Sequence, residues 1–237
     1  EFRRVLFRSA RQWADDCQYN KLEFEEGSWG YVLLADVAEG LHRDSSVCHI
    51  VRMSGQENER RVESVELSEF LDMDEKQFAH FIASKYRSLP NLTIAVDGDG
   101  AGRTVILELE EVGIPVEQIH WGLPCHTKAA QNRYANLRAY AHLKLREAIY
   151  DRRFKGPYSR KFVDQASKLP FEIDERGRYK MQTKEKMRAQ GIKSPDICDT
   201  CCFAFLVDYL PAEIGGEAKT NPHSETLKLA RAMLGED

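Results

Sequence analysis

Four aspartates occupy positions where a folded chain would bring carboxylates together. Asp36 and Asp97 each end a mostly apolar run that predicts a buried strand, and Asp196 and Asp199 lie three residues apart at the predicted start of a helix. Sites in α/β sheets form beyond the carboxyl ends of the strands, and residues three apart share one helix face. If that helix packs beside the first strand, all four carboxylates converge.

A cluster of carboxylate oxygens favours a hard cation, Mg²⁺ or Mn²⁺. Two such ions about 4 Å apart can activate a water and stabilise the leaving oxygen in phosphodiester hydrolysis. Asp36, on the central strand, is the candidate to bridge them. A single aspartate could equally be a turn residue or a helix cap, and for Asp196 alone the cap is the better interpretation. For the set, the uncompensated negative charge favours a metal site.

The elements that must position these residues follow from hydrophobic periodicity and breakers. Three strands joined by short loops are expected to be antiparallel neighbours, and a later strand–helix–strand unit predicts a parallel pair. A hairpin is expected at 171–182 and a terminal helix at 225–234. The other predicted strands are 31–37, 46–53, 61–67, 92–97 and 116–121, and the other predicted helices are 74–88, 103–112, 131–150, 159–168, 184–190 and 194–209.

This layout is an α/β fold: a mixed sheet of three antiparallel and then two parallel strands, with helices on both faces. Its strand order is that of the ribonuclease-H-like fold. The turn Gly98–Gly102 could also be a dinucleotide cradle, but it lacks the G-x-G-x-x-G spacing, and Asp97 and Asp99 would repel a pyrophosphate. A tight turn that needs positive φ is the favoured interpretation, with Asp99 ordering it.

The charge of the 237-residue chain is unevenly distributed. The net charge is −4, yet residues 128–193 hold 18 Lys and Arg against 7 Asp and Glu. Such a basic block favours a polyanionic partner, although ordinary solvated helix faces are the alternative. The residues expected to contact a nucleic-acid backbone are Arg133, Arg138, Arg152, Arg153, Lys184 and Arg188. No run of about 18 apolar residues occurs, so no membrane contact is expected.

The six cysteines are scattered, which favours reduced thiols. Cys198 and Cys201 form a C-x-x-C pair, but a zinc or redox role would need a second ligand pair. Cys125 with His126 is the only candidate pair in the sequence. Small buried thiols on a packed helix are therefore the favoured interpretation.

Several segments together resemble the nuclease domain of the large terminase subunit of tailed phages. The resemblance extends from about Trp29 to Tyr209, and it depends on the order and spacing of the motifs. The matching segments are LADVAEG at 34–40, Val96-Asp97 with Gly98, Gly100 and Gly102, YANLRA at 134–139, QTKEKM at 182–187 and SPDICD at 194–199.

The resemblance implies a metal-dependent endonuclease that cuts concatemeric viral DNA during genome packaging. Asp36, Asp97 and Asp199 would be the metal ligands, Asp196 matches a fourth position seen in Holliday-junction resolvases, and Lys184 would lie near the DNA. Double-stranded DNA, a packaging ATPase domain, the portal and the small terminase subunit are the implied partners, in the host cytoplasm.

The chain departs from that family in having no Gly-x-x-x-x-Gly-Lys-Ser/Thr loop, so we expect a nuclease half without its ATPase. Residues 1–9 look like translated cloning or adapter DNA. We expect a linker at 10–28, the nuclease domain at 29–210, and a linker with a short helix at 211–237. The competing functions are a Holliday-junction-resolvase-like nuclease, a nucleotide-binding Rossmann-like module, and a DNA-docking domain that has lost catalysis.

Overall fold

The computed structural model describes residues 9–38, 45–168, 170–192 and 194–212. The predicted helix 225–234 lies outside them. The strands are β1 (Trp29–Asp36), β2 (Ser46–Ser54), β3 (Arg61–Phe70), β4 (Thr93–Asp97), β5 (Glu117–Ile119), β6 (Phe154–Lys155), β7 (Phe171–Ile173) and β8 (Tyr179–Met181). The α-helices are α1 (Ala10–Asp16), α2 (Glu75–Ser88), α3 (Gly102–Glu111), α4 (Lys128–Arg133), α5 (Leu137–Tyr150), α6 (Arg160–Ser167), α7 (Lys184–Ala189) and α8 (Asp196–Phe203).

The main sheet has six strands in the order β5-β4-β1-β2-β3-β6. β1, β2 and β3 are antiparallel neighbours, and β4 and β5 continue the sheet parallel to β1. β7 and β8 form a separate antiparallel hairpin. The predicted mixed sheet and the hairpin are therefore confirmed, and β1 is an inner strand with β4 on one side and β2 on the other.

The alternation of side chains along β1 divides the core into two layers. Val32 and Leu34 face one cluster, which contains residues of α5, α6 and α8. Leu33 and Ala35 face the other, which contains residues of α2 and α3. All four side chains are fully buried, which explains why the strand reads as a continuous apolar run rather than an alternating one.

Some element bounds differ from the prediction for identifiable reasons. The long helix predicted at 131–150 is two helices, because Asn136 is extended and its side chain accepts a hydrogen bond from the backbone of Ala139, starting α5. The last core helix is shorter than predicted, and Pro195 rather than Ser194 occupies its N-cap position. The edge strand β6 was not predicted, because two residues carry no periodicity.

The segment 10–28, predicted as a linker, contains a helix that belongs to the core. Ser9 caps α1 by accepting a hydrogen bond from the backbone of Gln12, and Ala14 and Cys17 are buried with the residues of α6 and α8. The linker prediction is therefore wrong for residues 10–19. Across the described ranges, no helix combines the length and apolar character needed to cross a bilayer.

Candidate metal centre

Asp36 and Asp97 lie at neighbouring strand ends. β1 and β4 run parallel, and Ala35 is in register with Val96, so the next residue along each strand is an aspartate at the same edge of the sheet. Both are half-buried. The sheet therefore brings together the first two predicted ligands, as the position of sites in α/β folds requires.

The turn after β4 holds the backbone of Asp97 in place. Gly100 has a φ of +64°, and a Cβ on Gly102 would lie 1.8 Å from the carbonyl oxygen of Asp97, so both positions require glycine. The backbone N–H of Asp99 donates to Asp97 Oδ1 at 3.1 Å. These observations confirm the tight turn. The Asp99 side chain contacts His120 rather than the turn, so an ordering role of that side chain stays a prediction.

The carboxylate of Asp97 lies in an environment that disfavours its charge. Burial raises its pKa to about 6, and the negative charges of Asp99 and Asp199 also raise it. Hydrogen bonds from the Asp99 N–H and from Trp121 Nε1, which lies 2.9 Å from Asp97 Oδ2, offset only part of this effect. A bound cation would compensate the remaining negative charge.

The other two aspartates lie in the first turn of α8, which packs against β1 and β2. Asp196 is 8% exposed and Asp199 is 4% exposed. Two basic side chains of α5 contact Asp199: His142 Nε2 lies 3.0 Å from Oδ1, and Arg138 Nη2 lies 3.5 Å from Oδ2. Asp199 thus sits on the same side of the sheet as Trp121, close enough to Asp97 to influence its pKa.

The aspartates form a loose arrangement rather than a tight cage. Within the described part of the chain, one group of metal-ligating side chains has three donor atoms that all lie within 4.8 Å of one another. This group consists of His142, Cys198 and Cys202. Asp97 and Asp199 are instead each held by separate donors. The oxygen donors and the raised pKa of Asp97 nevertheless fit a hard divalent cation.

The structure separates the basic residues predicted to contact DNA. Arg138 is near the carboxylates, with 16% of its side chain exposed, next to Asp199 and over the ring of Trp121. Arg133 is exposed and pairs with Glu147, further along α5. Arg138 therefore belongs to the carboxylate centre itself.

Two further arginines lie at the opposite end of the sheet. Through β3 and β2, Phe154 is in register with Gly30 at the start of β1, about 20 Å along the strand from Asp36. Arg152 and Arg153 directly precede Phe154, and Arg153 donates to the carbonyl of Arg60 and to Asp151. The structure does not bring them to the carboxylates.

The remaining predicted contacts are on α7, which follows the β7–β8 hairpin. Arg188 is exposed in the last turn of this helix. The side chain of Lys184 lies outside the described part of the structure, as do Glu39 and Asp44, two acidic residues near β1 and β2. A DNA-contacting role of Lys184 and Arg188 stays a prediction.

Two residues that contact the aspartates were not identified as site residues from the sequence. Trp121 reads as a core aromatic but donates to Asp97, and His142 shows no partner in sequence but contacts Asp199. Their rings stack at 5.8 Å with an interplanar angle of 6°. Arg138 and His142 are spaced i, i+4, so two basic residues share a face of α5; this spacing is the signal that could have identified His142.

Comparisons with known proteins find one similar sequence and several similar folds among phage terminases. No protein-family model matches the chain. Over 197 residues, 81% of this chain and 40% of the relative, the sequence is 38% identical to a protein named probable terminase, large subunit, of Enterobacteria phage P7. The chain therefore spans less than half the length of this relative.

Solved structures show the same fold at low sequence identity. The nuclease domain of the large terminase subunit gp2 of bacterial virus Sf6 matches with a TM-score of 0.61 and 16% identity, over 85% of this chain and 100% of that one. The large terminase nuclease from thermophilic phage G20c, solved with bound magnesium, matches with a TM-score of 0.53 and 13% identity, over 84% and 97%.

The strand order and the matches to solved structures define a ribonuclease-H-like fold. Within that class, the chain is a homologue of the terminase large subunits of tailed phages, and its fold is that of their nuclease domains.

Proposed function

We propose that this chain is a metal-dependent DNA endonuclease of the terminase large subunit, which cuts concatemeric DNA during genome packaging. The observation that carries this function is Asp97: a half-buried carboxylate with a pKa near 6, beside Asp36 and within the electrostatic influence of Asp199. A carboxylate whose pKa is raised by burial and by neighbouring negative charges, at the end of a strand, is typical of a functional site.

Asp36, Asp97 and Asp199 would hold the cations, with Asp196 as the fourth acidic group. Two Mg²⁺ or Mn²⁺ ions would supply an activated water and stabilise the leaving oxygen. Trp121 orients Asp97, and His142 orients Asp199. Arg138 is positioned to attract a DNA phosphate beside these carboxylates.

The ions named for the structural neighbours agree with this donor chemistry. The Sf6 nuclease domain, as a K428A mutant, has been solved with manganese, and the G20c nuclease with magnesium. These ions are hard or borderline cations that prefer oxygen ligands. Two ions acting together in this chain are part of our proposal.

Double-stranded DNA is the proposed substrate, held through its phosphates. Arg133, Arg138, Lys184 and Arg188 are the residues we propose for this contact, whereas Arg152 and Arg153 are left out because they lie at the far end of the sheet. The proposed assembly includes the packaging ATPase domain, the portal and the small terminase subunit, in the host cytoplasm. These partners follow from the relation to terminases.

Cleavage of supercoiled plasmid in Mn²⁺ tests the proposal. Asp36→Asn and Asp97→Asn should each abolish cleavage while leaving the circular dichroism spectrum unchanged. Asp151→Asn is the matched control, because Asp151 is exposed and pairs with Arg153 far from the site; it should retain full activity. Full cleavage by either active-site variant would refute the assignment.

The same preparation separates the competing functions. A preference for four-way junctions over linear duplex would indicate a resolvase. Calorimetric binding of a dinucleotide without Mn²⁺ binding would indicate a nucleotide-binding module. A folded protein that binds DNA and neither binds Mn²⁺ nor cleaves would indicate a DNA-docking domain.

A further inference from the structure

A second group of metal-ligating side chains lies behind the carboxylates. Cys198 and Cys202 are one turn apart on α8, and His142 faces them from α5. All three are at most 3% exposed. Cys202 Sγ lies 3.0 Å from His142 Nδ1, and the three donor atoms lie within 4.8 Å of one another. Two sulfurs and one imidazole nitrogen thus lie close enough together to bind one ion.

The other ring nitrogen of His142 has the partner that a metal-ligating histidine usually has. His142 Nε2 lies 3.0 Å from Asp199 Oδ1 as an ion-pair contact, and both atoms are buried without a partner that meets hydrogen-bond geometry. A histidine that binds a metal through one nitrogen almost always donates its second N–H to a carboxylate, a carbonyl or a water. The carboxylate of Asp199 therefore lies where it can accept the Nε2–H of His142 when Nδ1 binds a metal.

We propose that Cys198 Sγ, Cys202 Sγ and His142 Nδ1 bind one thiophilic divalent cation, Zn²⁺ or Cd²⁺. Thiolate and imidazole ligands select such ions over Mg²⁺. Binding releases the two thiol protons to solvent, and two thiolates neutralise the cation. The resulting complex has no net charge, which suits a site with almost no exposure.

The surroundings of the three side chains differ on the side of His142 and on the side of the third thiol of α8. A cavity of about 140 Å³ between α1, α5 and α6 is lined by His142 together with Trp13, Leu145 and Ala166. Cys201, the third thiol of α8, contacts His49 instead, with 3.7 Å between Sγ and Nδ1. The ligand pair in this proposal is therefore Cys198 with Cys202 rather than the C-x-x-C pair of Cys198 and Cys201.

Cadmium titration of the full chain tests this site without measuring nuclease activity. The protein is reduced with a phosphine, treated with a chelator, dialysed, and supplied with excess Mg²⁺ so that oxygen-ligand sites are occupied. We expect one equivalent of Cd²⁺ to produce the ultraviolet sulfur-to-metal charge-transfer absorption of a dithiolate site. No such absorption would overturn the proposal, whatever the nuclease assays show.

Matched serine variants identify the ligands. Cys198→Ser and Cys202→Ser should each weaken Cd²⁺ binding by more than about 100-fold, since loss of an outer-shell partner alone costs about 10- to 100-fold. Cys201→Ser should bind as the wild type does. Unchanged binding in both ligand variants, or loss of binding in Cys201→Ser alone, would contradict the assignment.

Wild-type protein loaded with one Zn²⁺ provides a measurement that does not depend on whether variants fold. X-ray absorption at the zinc edge should show two sulfur ligands and at least one imidazole nitrogen at the distances of a zinc–thiolate site. A first shell of oxygen alone, or of one or three sulfurs, would overturn the proposal.

Discussion

Asp97→Asn should stabilise the chelator-treated protein while abolishing its activity. The pKa of Asp97 is raised from 3.8 to about 6, a shift that corresponds to about 3 kcal/mol. Screening by solvent at this half-buried side chain lowers the figure to roughly 1–3 kcal/mol. Asparagine removes the charge, but it can keep only one of the two accepted hydrogen bonds, at a cost of about 1 kcal/mol. We therefore expect a net gain of about 0–2 kcal/mol in the free energy of unfolding at pH 8.

The sign of this effect depends on pH. Between 3.8 and about 6 the unfolded chain releases the Asp97 proton while the folded protein retains it, so the wild type loses stability as pH rises. The difference between variant and wild type in the free energy of unfolding should be small or reversed near pH 4. It should grow as pH rises to about 6 and stay constant above that. Urea unfolding of both proteins in a chelator measures it. An Asp97→Asn protein that is less stable at pH 8 than at pH 4, relative to the wild type, would refute the reasoning.

Other expectations follow from individual contacts. Trp121→Phe removes the N–H donated to Asp97 Oδ2 and should weaken Mn²⁺ binding about 10- to 100-fold in calorimetry; unchanged affinity would contradict an orienting role. Gly102→Ala would place a Cβ 1.8 Å from the Asp97 carbonyl oxygen and should lower the free energy of unfolding by about 3 kcal/mol or more. Gly122→Ala is the control, because its Cβ would meet no atom within 4 Å, and thermal unfolding should show little change in its stability. DNA cleavage should fall steeply as salt rises, and salt-insensitive cleavage would argue against phosphate contacts.

The sheet could be predicted because its information is local. Apolar runs ending in Asp36 and Asp97, with a glycine turn after the second, specify two strand ends and a crossover. The helix and strand bounds that the sequence predicted wrongly depend on single contacts. The break before α5 depends on the side chain of Asn136, and β6 exists because the backbone of Val62 donates to the carbonyl of Arg153.

The site could be predicted only as far as its acidic residues. Strand ends and helix starts identify the aspartates, but the partners of Asp97 and Asp199 come from β5's loop and from α5, distant along the chain. The i, i+4 spacing of Arg138 and His142 marks a basic face of α5, but only the packing of α5 on α8 shows that this face meets Asp199. For the same reason the C-x-x-C pair drew attention to Cys201, while the packing places Cys202 against His142.

The central claim is that Asp36, Asp97 and Asp199 share divalent ions, and a crystal grown with Mn²⁺ tests it most directly. Anomalous density should lie between these three carboxylates. Manganese absent from this edge of the sheet, with Asp97 still held by Trp121 and Asp199 by His142, would contradict the account.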